Sequence, residues 1–417
     1  MNEKQNLRLK RNVGLDYVHT FLSNMNMQSS IWVLYLAYCG LHLAQIGLLE
    51  GIYHATSIVC EIPSGAAADL WGRKRCVVLS NLCIAVSCVI MLFSKSFGWF
   101  AVSFAVQALG NNLNSGSEEA LVYDSMKCLG QEEHYMGVYG RLNVLIEVAQ
   151  GLATVAGGVL AELSYFWCYA ACVVIAVLAL LPVLWMAEPP QCGKAADTAG
   201  GSVEAAAEGA PAQRTIWEAV KHHFAVSACI LQKDARIGKI IGFYSVVFAA
   251  HTLLFFYSQQ YFADFGYNKV QISVIMLLVG GASCLGALAS EKMYRRFGKR
   301  CLIPETVIIA AAILCYGSGK AGVAAATLMC AGFANAALYP IQSDSLNALI
   351  PSEQRATLIS VDSMCFSIAM IVLFPLAGAF ADRWGLKTVL LLLGAILLLF
   401  LLAAFCIEKE SFSSDHS

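Results

Sequence analysis

The chain has 417 residues, 58% of them hydrophobic and only 13% charged, with a mean hydropathy of +0.65. Soluble domains carry about a quarter charged residues, so a water-covered globule is excluded and lipid must replace water over most of the surface. A net charge of −1 argues equally against a nucleic-acid partner.

The N-terminal MNEKQNLRLKRNVG is basic, yet no short apolar stretch with a small-residue cleavage site follows it. No signal peptide is therefore expected to be removed, and the first span acts as the targeting signal. Runs of mostly apolar residues about 20 long, enough to cross a bilayer, predict helices near 14–38, 43–67, 75–94, 98–124, 136–160 and 165–187. A second set follows near 238–262, 269–292, 301–318, 321–347, 356–381 and 387–407. The first is the least clean, because Asp16, His19, Asn24 and Asn26 interrupt it.

These runs divide the chain into a bundle at 1–187, a linker at 188–237 and a second bundle at 238–417. The linker's GKAADTAGGSVEAAAEGAPAQ is a low-complexity, small-residue stretch expected to be disordered, and RTIWEAVKHHFAVSACIL after it could form a surface helix. Placing the N-terminus inside puts 22 of the 27 Lys and Arg residues on cytoplasmic segments and 5 outside. That bias is what the positive-inside rule demands, and it makes both termini cytoplasmic. The 16 cysteines sit mostly inside apolar runs, where a thiol behaves as a small hydrophobe. With no CxxC pair and no Cys/His ligand spacing, neither a metal site nor a disulfide framework is expected.

The halves echo each other. A shift of 220 residues lays Asp124-Ser125 on Asp344-Ser345, Glu133 on Glu353, and GVLAE (158–162) on GAFAD (378–382). A second echo links AADLWGRK (67–74) to FADRWGLK (380–387), on opposite membrane faces. That pattern fits three-helix units repeated with inverted topology.

The stretch Gly65-Ala-Ala-Ala-Asp69-Leu-Trp-Gly72-Arg73-Lys74-Arg75 resembles the signature loop between helices 2 and 3 of the major facilitator superfamily. The resemblance extends over twelve spans, the long linker and a degenerate copy, Arg295-Arg-Phe-Gly298-Lys299-Arg300. It implies an all-α integral membrane fold of 12 transmembrane helices in two pseudo-symmetric six-helix bundles. It also implies that the loop latches the halves together on the cytoplasmic side in an outward-open state. The residues support such a role. Gly65 lets helices approach, Gly72 permits a tight turn, and Asp69 can accept bonds from turn amides. Arg73 has Asp124, at the inner end of span 4, within reach as a partner. Arg73, Lys74 and Arg75 also read simply as topology determinants. Two departures stand out: Arg295 falls where the second copy would carry its Asp, and Val106, four residues before Gly110, stands where proton-coupled relatives often carry an arginine.

A charged residue at mid-bilayer costs roughly 2.5–3.5 kcal/mol, so retained ones are expected to face a cavity or a partner. Glu50, His54, Ser57 and Glu61 lie at offsets 0, 4, 7 and 11 on one face of span 2. Glu50 and His54 are candidates for a proton or a substrate, and Glu61 stands closer to an inner gate; an internal hydrogen-bond network is the other reading. Span 4 is too polar for lipid, with Asn111, Asn114, Glu118 and Glu119, and the adjacent carboxylates point about 100° apart. Span 5 supplies Asn143, Glu147, Gln150 and Thr154 on one face, with Arg141 just before them. One of Glu118 and Glu119 is expected to pair with Arg141, leaving Glu147 to titrate. In the second half, His251, Phe255 and Gln259 mix a titratable ring, an aromatic and an amide, while Tyr261 and Phe262 also suit an interfacial aromatic belt. Asn335 and Tyr339 line a face of span 10, and Glu305 is expected to snorkel.

Absence of a GxxxxGK[ST] loop points to an ion gradient rather than a nucleotide, and intramembrane carboxylates favour the proton. No cofactor and no enzyme chemistry are expected. The expectation is a monomeric, multi-pass carrier of the cell membrane that exports a small organic solute against protons by alternating access, as drug-efflux relatives with this layout do. A proton-coupled importer of a nutrient or metabolite is the alternative.

Overall fold

A computed structural model gives the structure of the protein, describing residues 3–190, 235–347 and 355–414. The low-complexity linker and the surface helix expected after it lie outside the described residues. Every regular element within them is helical. Each of the twelve apolar runs forms helix, but the first and fourth are broken. The first run is divided between α1 (Glu3–Ser23) and α2 (Trp32–Tyr38). Asn24 turns its side-chain amide back onto the Thr20 carbonyl at 2.8 Å, competing with the next helical turn. The fourth is divided at Ser115-Gly116 into α5 (Phe97–Asn114) and α6 (Ser117–Cys128), and Glu118 and Glu119 occupy the first turn of α6, where the helix dipole favours them. Among the described residues, seven helices are long and apolar enough to cross a membrane, and two shorter apolar helices accompany them.

The chain forms two compact units, Met1–Ser29 with Ala55–Val226 and Ser30–His54 with Ser227–Ser417. α3 (Leu43–Trp71) belongs to both, since the division falls after His54. In the first unit, α4 (Arg73–Phe93) packs on α5, α6 and α8 (Tyr165–Trp185), and α1 packs on α6, α7 (Tyr135–Leu163) and α8. In the second, α9 (Ala235–Asp264) packs on α2, α12 (Ala321–Asn347) and α13 (Arg355–Trp384). There α10 (Lys269–Phe297) lies against α12, and α11 (Leu302–Cys315) lies against α12 and α14 (Leu386–Ser414). A reciprocal Asn268–Gln271 capping box starts α10.

The echo between AADLWGRK and FADRWGLK is structural as well as sequential. Each copy ends one helix on a tryptophan and begins the next after a glycine, Gly72 at φ +93° and Gly385 at φ +83°. Only glycine adopts that backbone without strain. Two carboxylates then cap helix starts. Glu188 accepts from the Arg73 and Lys74 amides at 2.8 and 2.9 Å at the head of α4. In the second unit, Asp382 accepts from the Leu43 and Ala44 amides, both at 2.9 Å, at the head of α3. Two orphan N–H groups and the positive helix end are satisfied by one charge. Replacing Asp382 by alanine is expected to cost about 1 kcal/mol and to lower the Tm of the detergent-purified protein; an unchanged Tm would remove the cap's importance.

Two expectations about span ends are corrected. Tyr261 and Phe262 are not an interfacial belt: both are buried, with the Tyr261 hydroxyl donating to the Tyr316 carbonyl at 2.7 Å. The same apolar run serves a core as well as a belt, and contacts with Tyr316 decide for the core. Glu305 does not snorkel. It is buried, and neither carboxylate oxygen has a hydrogen-bond partner among the described residues.

Candidate functional site

Polar side chains gather in each unit, on helices that the apolar runs alone would leave featureless. In the second unit, Glu50 and His54 stand one turn apart on α3, with Oε1 3.6 Å from Nε2. They are 9% and 8% exposed. The spacing of four residues puts both side chains on one face, as the periodicity implies. His54 Nδ1 lies 3.1 Å from the Ser367 hydroxyl of α13, and the imidazole stands edge-on to the Tyr53 and Phe366 rings. Nearby in the same unit, Gln259 is fully buried and accepts from the Val33 amide at 3.2 Å. Phe255 stacks obliquely on Phe256. His251 Nε2 and Asn335 Oδ1 are buried with no hydrogen-bond partner among the described residues, whereas Tyr339 is exposed beside Phe248.

In the first unit, Glu118 is the centre of a network reaching from α6 to α1 and α5. Its Oε1 accepts from the Thr20 hydroxyl at 3.1 Å, its Oε2 accepts from the Asn114 amide at 2.7 Å, and Oε1 lies 3.6 Å from His19 Nε2. The other ring nitrogen, His19 Nδ1, bonds the Ala179 carbonyl of α8 at 2.9 Å. Asp16, one turn earlier on α1, is 2% exposed. Asn12, a further turn back, donates to Ser125 and Ala187, both at 2.8 Å. The pairing expected between Arg141 and Glu118 or Glu119 is therefore corrected. Among the described residues Arg141 makes no ion pair and is exposed on α7, while Glu118 is already held by Thr20 and Asn114. Glu119, about 100° further round α6, is exposed. Asn111, Glu147 and Gln150 are also exposed, Gln150 donating to Asn24 at 3.3 Å, and Glu61 is half-buried. Ser57 and Asn112 exchange bonds of 2.9 and 2.6 Å, tying α3 to α5.

The signature loop spends its contacts inside the first unit. Arg73 pairs with Asp124 at 2.5 Å, both about one-third exposed, and donates to the Ala120 carbonyl at 2.6 Å. Lys74 donates to the Leu184 and Met186 carbonyls at 2.9 and 2.7 Å, satisfying acceptors at the C-terminal end of α8. Gly65 and Arg75 are exposed; Asp69 lies in α3, and its side chain is outside the described residues.

Sequence reasoning missed the importance of Asp16 and His19, which it met only as blemishes on the first run. A signal was available: Asn12, Asp16, His19, Thr20 and Ser23 repeat at helical spacing, a wet stripe as regular as that of span 2.

Seven helices long and apolar enough to cross a membrane, among the described residues, define a polytopic helical membrane protein. The chain belongs to the Major Facilitator Superfamily, whose family model matches residues 18–319 and 306–415. It is 21% identical over 378 residues to the uncharacterized MFS-type transporter YxaM of Bacillus subtilis (strain 168), covering 90% of each chain. Among solved structures it resembles the nucleoside transporter NupG, with a TM-score of 0.73 and 15% identity, covering 98% of this chain and 100% of that one. A D-xylose-proton symporter aligns with a TM-score of 0.64 and 13% identity, covering 96% and 97%. The fold is the all-α membrane fold of this superfamily.

Proposed function

We propose that the protein is a proton-coupled secondary transporter that exports a small organic solute by alternating access. The observation that carries this reading is the Glu50–His54 pair, 3.6 Å apart and more than nine-tenths buried. A carboxylate so far from water is costly unless a proton or a cation balances it. Antiport follows when proton and substrate compete for that carboxylate. His251, Phe255 and Gln259 offer an aromatic and amide surface suited to an amphipathic, neutral or cationic solute. The carrier works as a monomer in the cell membrane, both termini cytoplasmic, with the proton gradient as its energy source and no cofactor. The signature loop, through Arg73 and Asp124, ties the start of α4 to α6 within the first unit.

Proton-coupled import is the second reading, favoured by the fold's likeness to a nucleoside transporter and a D-xylose-proton symporter. The two differ in sign. A thermal-stabilisation screen of the purified protein at two pH values, using cationic amphiphiles, nucleosides and pentoses, separates them. Export by competition requires binding to weaken on acidification, and symport requires it to strengthen. A bound ligand with no pH dependence would overturn proton coupling in either direction.

A further inference from the structure

We propose that His19 and Glu118, with Asp16 beside them, form a second proton-binding site, inside the first unit and separate in sequence from Glu50 and His54.

The tautomer of His19 is set by its neighbour. A carbonyl cannot donate, so the 2.9 Å contact with Ala179 fixes the hydrogen on Nδ1. Nε2 then carries either a lone pair or a second proton. Were it a lone pair facing an ionised Glu118 at 3.6 Å, two acceptors would confront each other in a buried place. One proton resolves the conflict, on Nε2 or on Glu118 Oε1. Thr20 and Asn114 each donate to a different oxygen of Glu118, which holds the carboxyl group facing His19.

Asp16 supplies the second acceptor. It shares the α1 face of His19 and Thr20, at offsets of three and four, and its Oδ1 is buried with no partner among the described residues. The surroundings offer no fixed countercharge. α6 presents Glu118 and Glu119, both close enough to act on Asp16 electrostatically, and Asp16 in turn acts on Tyr135 at the head of α7. Arg141 and Glu147 of α7 are exposed, and α8 carries no charged residue, its titratable groups being Tyr165, Cys168, Tyr169 and Cys172. Among the described residues, His19 is the one basic group within ion-pair range of Glu118, and no Lys or Arg pairs with Asp16. A cluster with two carboxylates and one imidazole holds a net charge that a mobile proton adjusts. No bond other than that to hydrogen is made or broken: a proton arrives from water on Nε2 or Oδ1 and leaves the same way.

As a coupling site this rests on the proton-coupled reading above, but the proton site itself can be tested without any substrate. Infrared difference spectra between acidic and alkaline buffer would be recorded on the full chain in lipid nanodiscs, with ring-labelled histidine. Asp16→Asn and Glu118→Gln are each expected to remove one carboxyl contribution, and His19→Gln to remove one imidazole contribution. Should these variants fail to fold, Thr20→Val, which deletes one donor to Glu118 and keeps every titrating group, must still move the carboxyl signal. Spectra identical to wild type in every folded variant overturn the proposal. Loss of the bands alongside pH-independent solute flux in proteoliposomes leaves this site standing and removes proton coupling. Intact bands alongside pH-driven flux remove this site and leave coupling to Glu50 and His54.

Discussion

Glu50→Gln is expected to abolish most of the pH dependence of substrate binding while leaving the protein folded. Glutamine keeps the size of the side chain and one acceptor oxygen but cannot ionise, and Glu50 stands on a continuous helix packed by its neighbours. A Cβ added at Gly51, next in sequence, would lie 3.6 Å from the Pro375 ring, so α3 and α13 run close together beside Glu50 whatever its charge. If proton and substrate compete for Glu50, their coupling free energy is of the order of 1–3 kcal/mol, equivalent to roughly 5–150-fold in affinity between protonated and deprotonated protein. That ratio should collapse towards one in Glu50→Gln, read as the Kd of a stabilising ligand at two pH values. Linkage is reciprocal, so the proton release that accompanies ligand binding in an indicator-dye assay should disappear too. A variant that keeps the wild-type ratio would move the coupling carboxylate elsewhere, with Glu118 the next to replace.

Gly286→Leu is expected to prevent stable assembly of the second unit. Gly286 of α10 faces the backbone of α12, where a Cβ would run into the Phe333 carbonyl oxygen and lie 2.9 Å from its carbon and 3.0 Å from its Cα. Backbone cannot rotate away as a side chain can. Small residues at such crossings let membrane helices approach closely, and packing drives association where lipid is as apolar as leucine. Overpacking costs about 1–3 kcal/mol and more for larger groups, so Gly286→Ala should lower the Tm and Gly286→Leu should yield little folded protein. The same helix supplies its control. Gly280 and Gly281 meet nothing within 4 Å, and alanine there should be neutral or stabilising by up to about 1 kcal/mol through helix propensity. Equal Tm values for alanine at 280 and 286 would refute the close crossing.

Local features were legible because they depend on spacing along one helix. Glu50 and His54 meet because four residues make a turn, and Gly72 and Gly385 turn because the Trp-Gly echo repeats a backbone geometry. The Arg73–Asp124 contact was within reach of reasoning because the signature loop and the end of the fourth run share a membrane face. Contacts between distant parts of the chain were not legible. His19 and Glu118 lie in different runs, and the sequence offered Arg141 as a nearer partner by charge alone. Asp382 at the head of α3 lies 339 and 338 positions along the chain from the amides it caps, so no pattern along the chain announces it. Tyr261 and Phe262 illustrate a different limit: hydropathy reports that a ring avoids water, not whether lipid or protein replaces it.

Solute flux into proteoliposomes under an imposed pH gradient tests the central claim most directly, using the ligand with the strongest pH-dependent stabilisation. The account predicts saturable accumulation that requires the gradient, reverses when the gradient is reversed and disappears with a protonophore. Flux that is the same with and without the gradient, and indifferent to a protonophore, would contradict it.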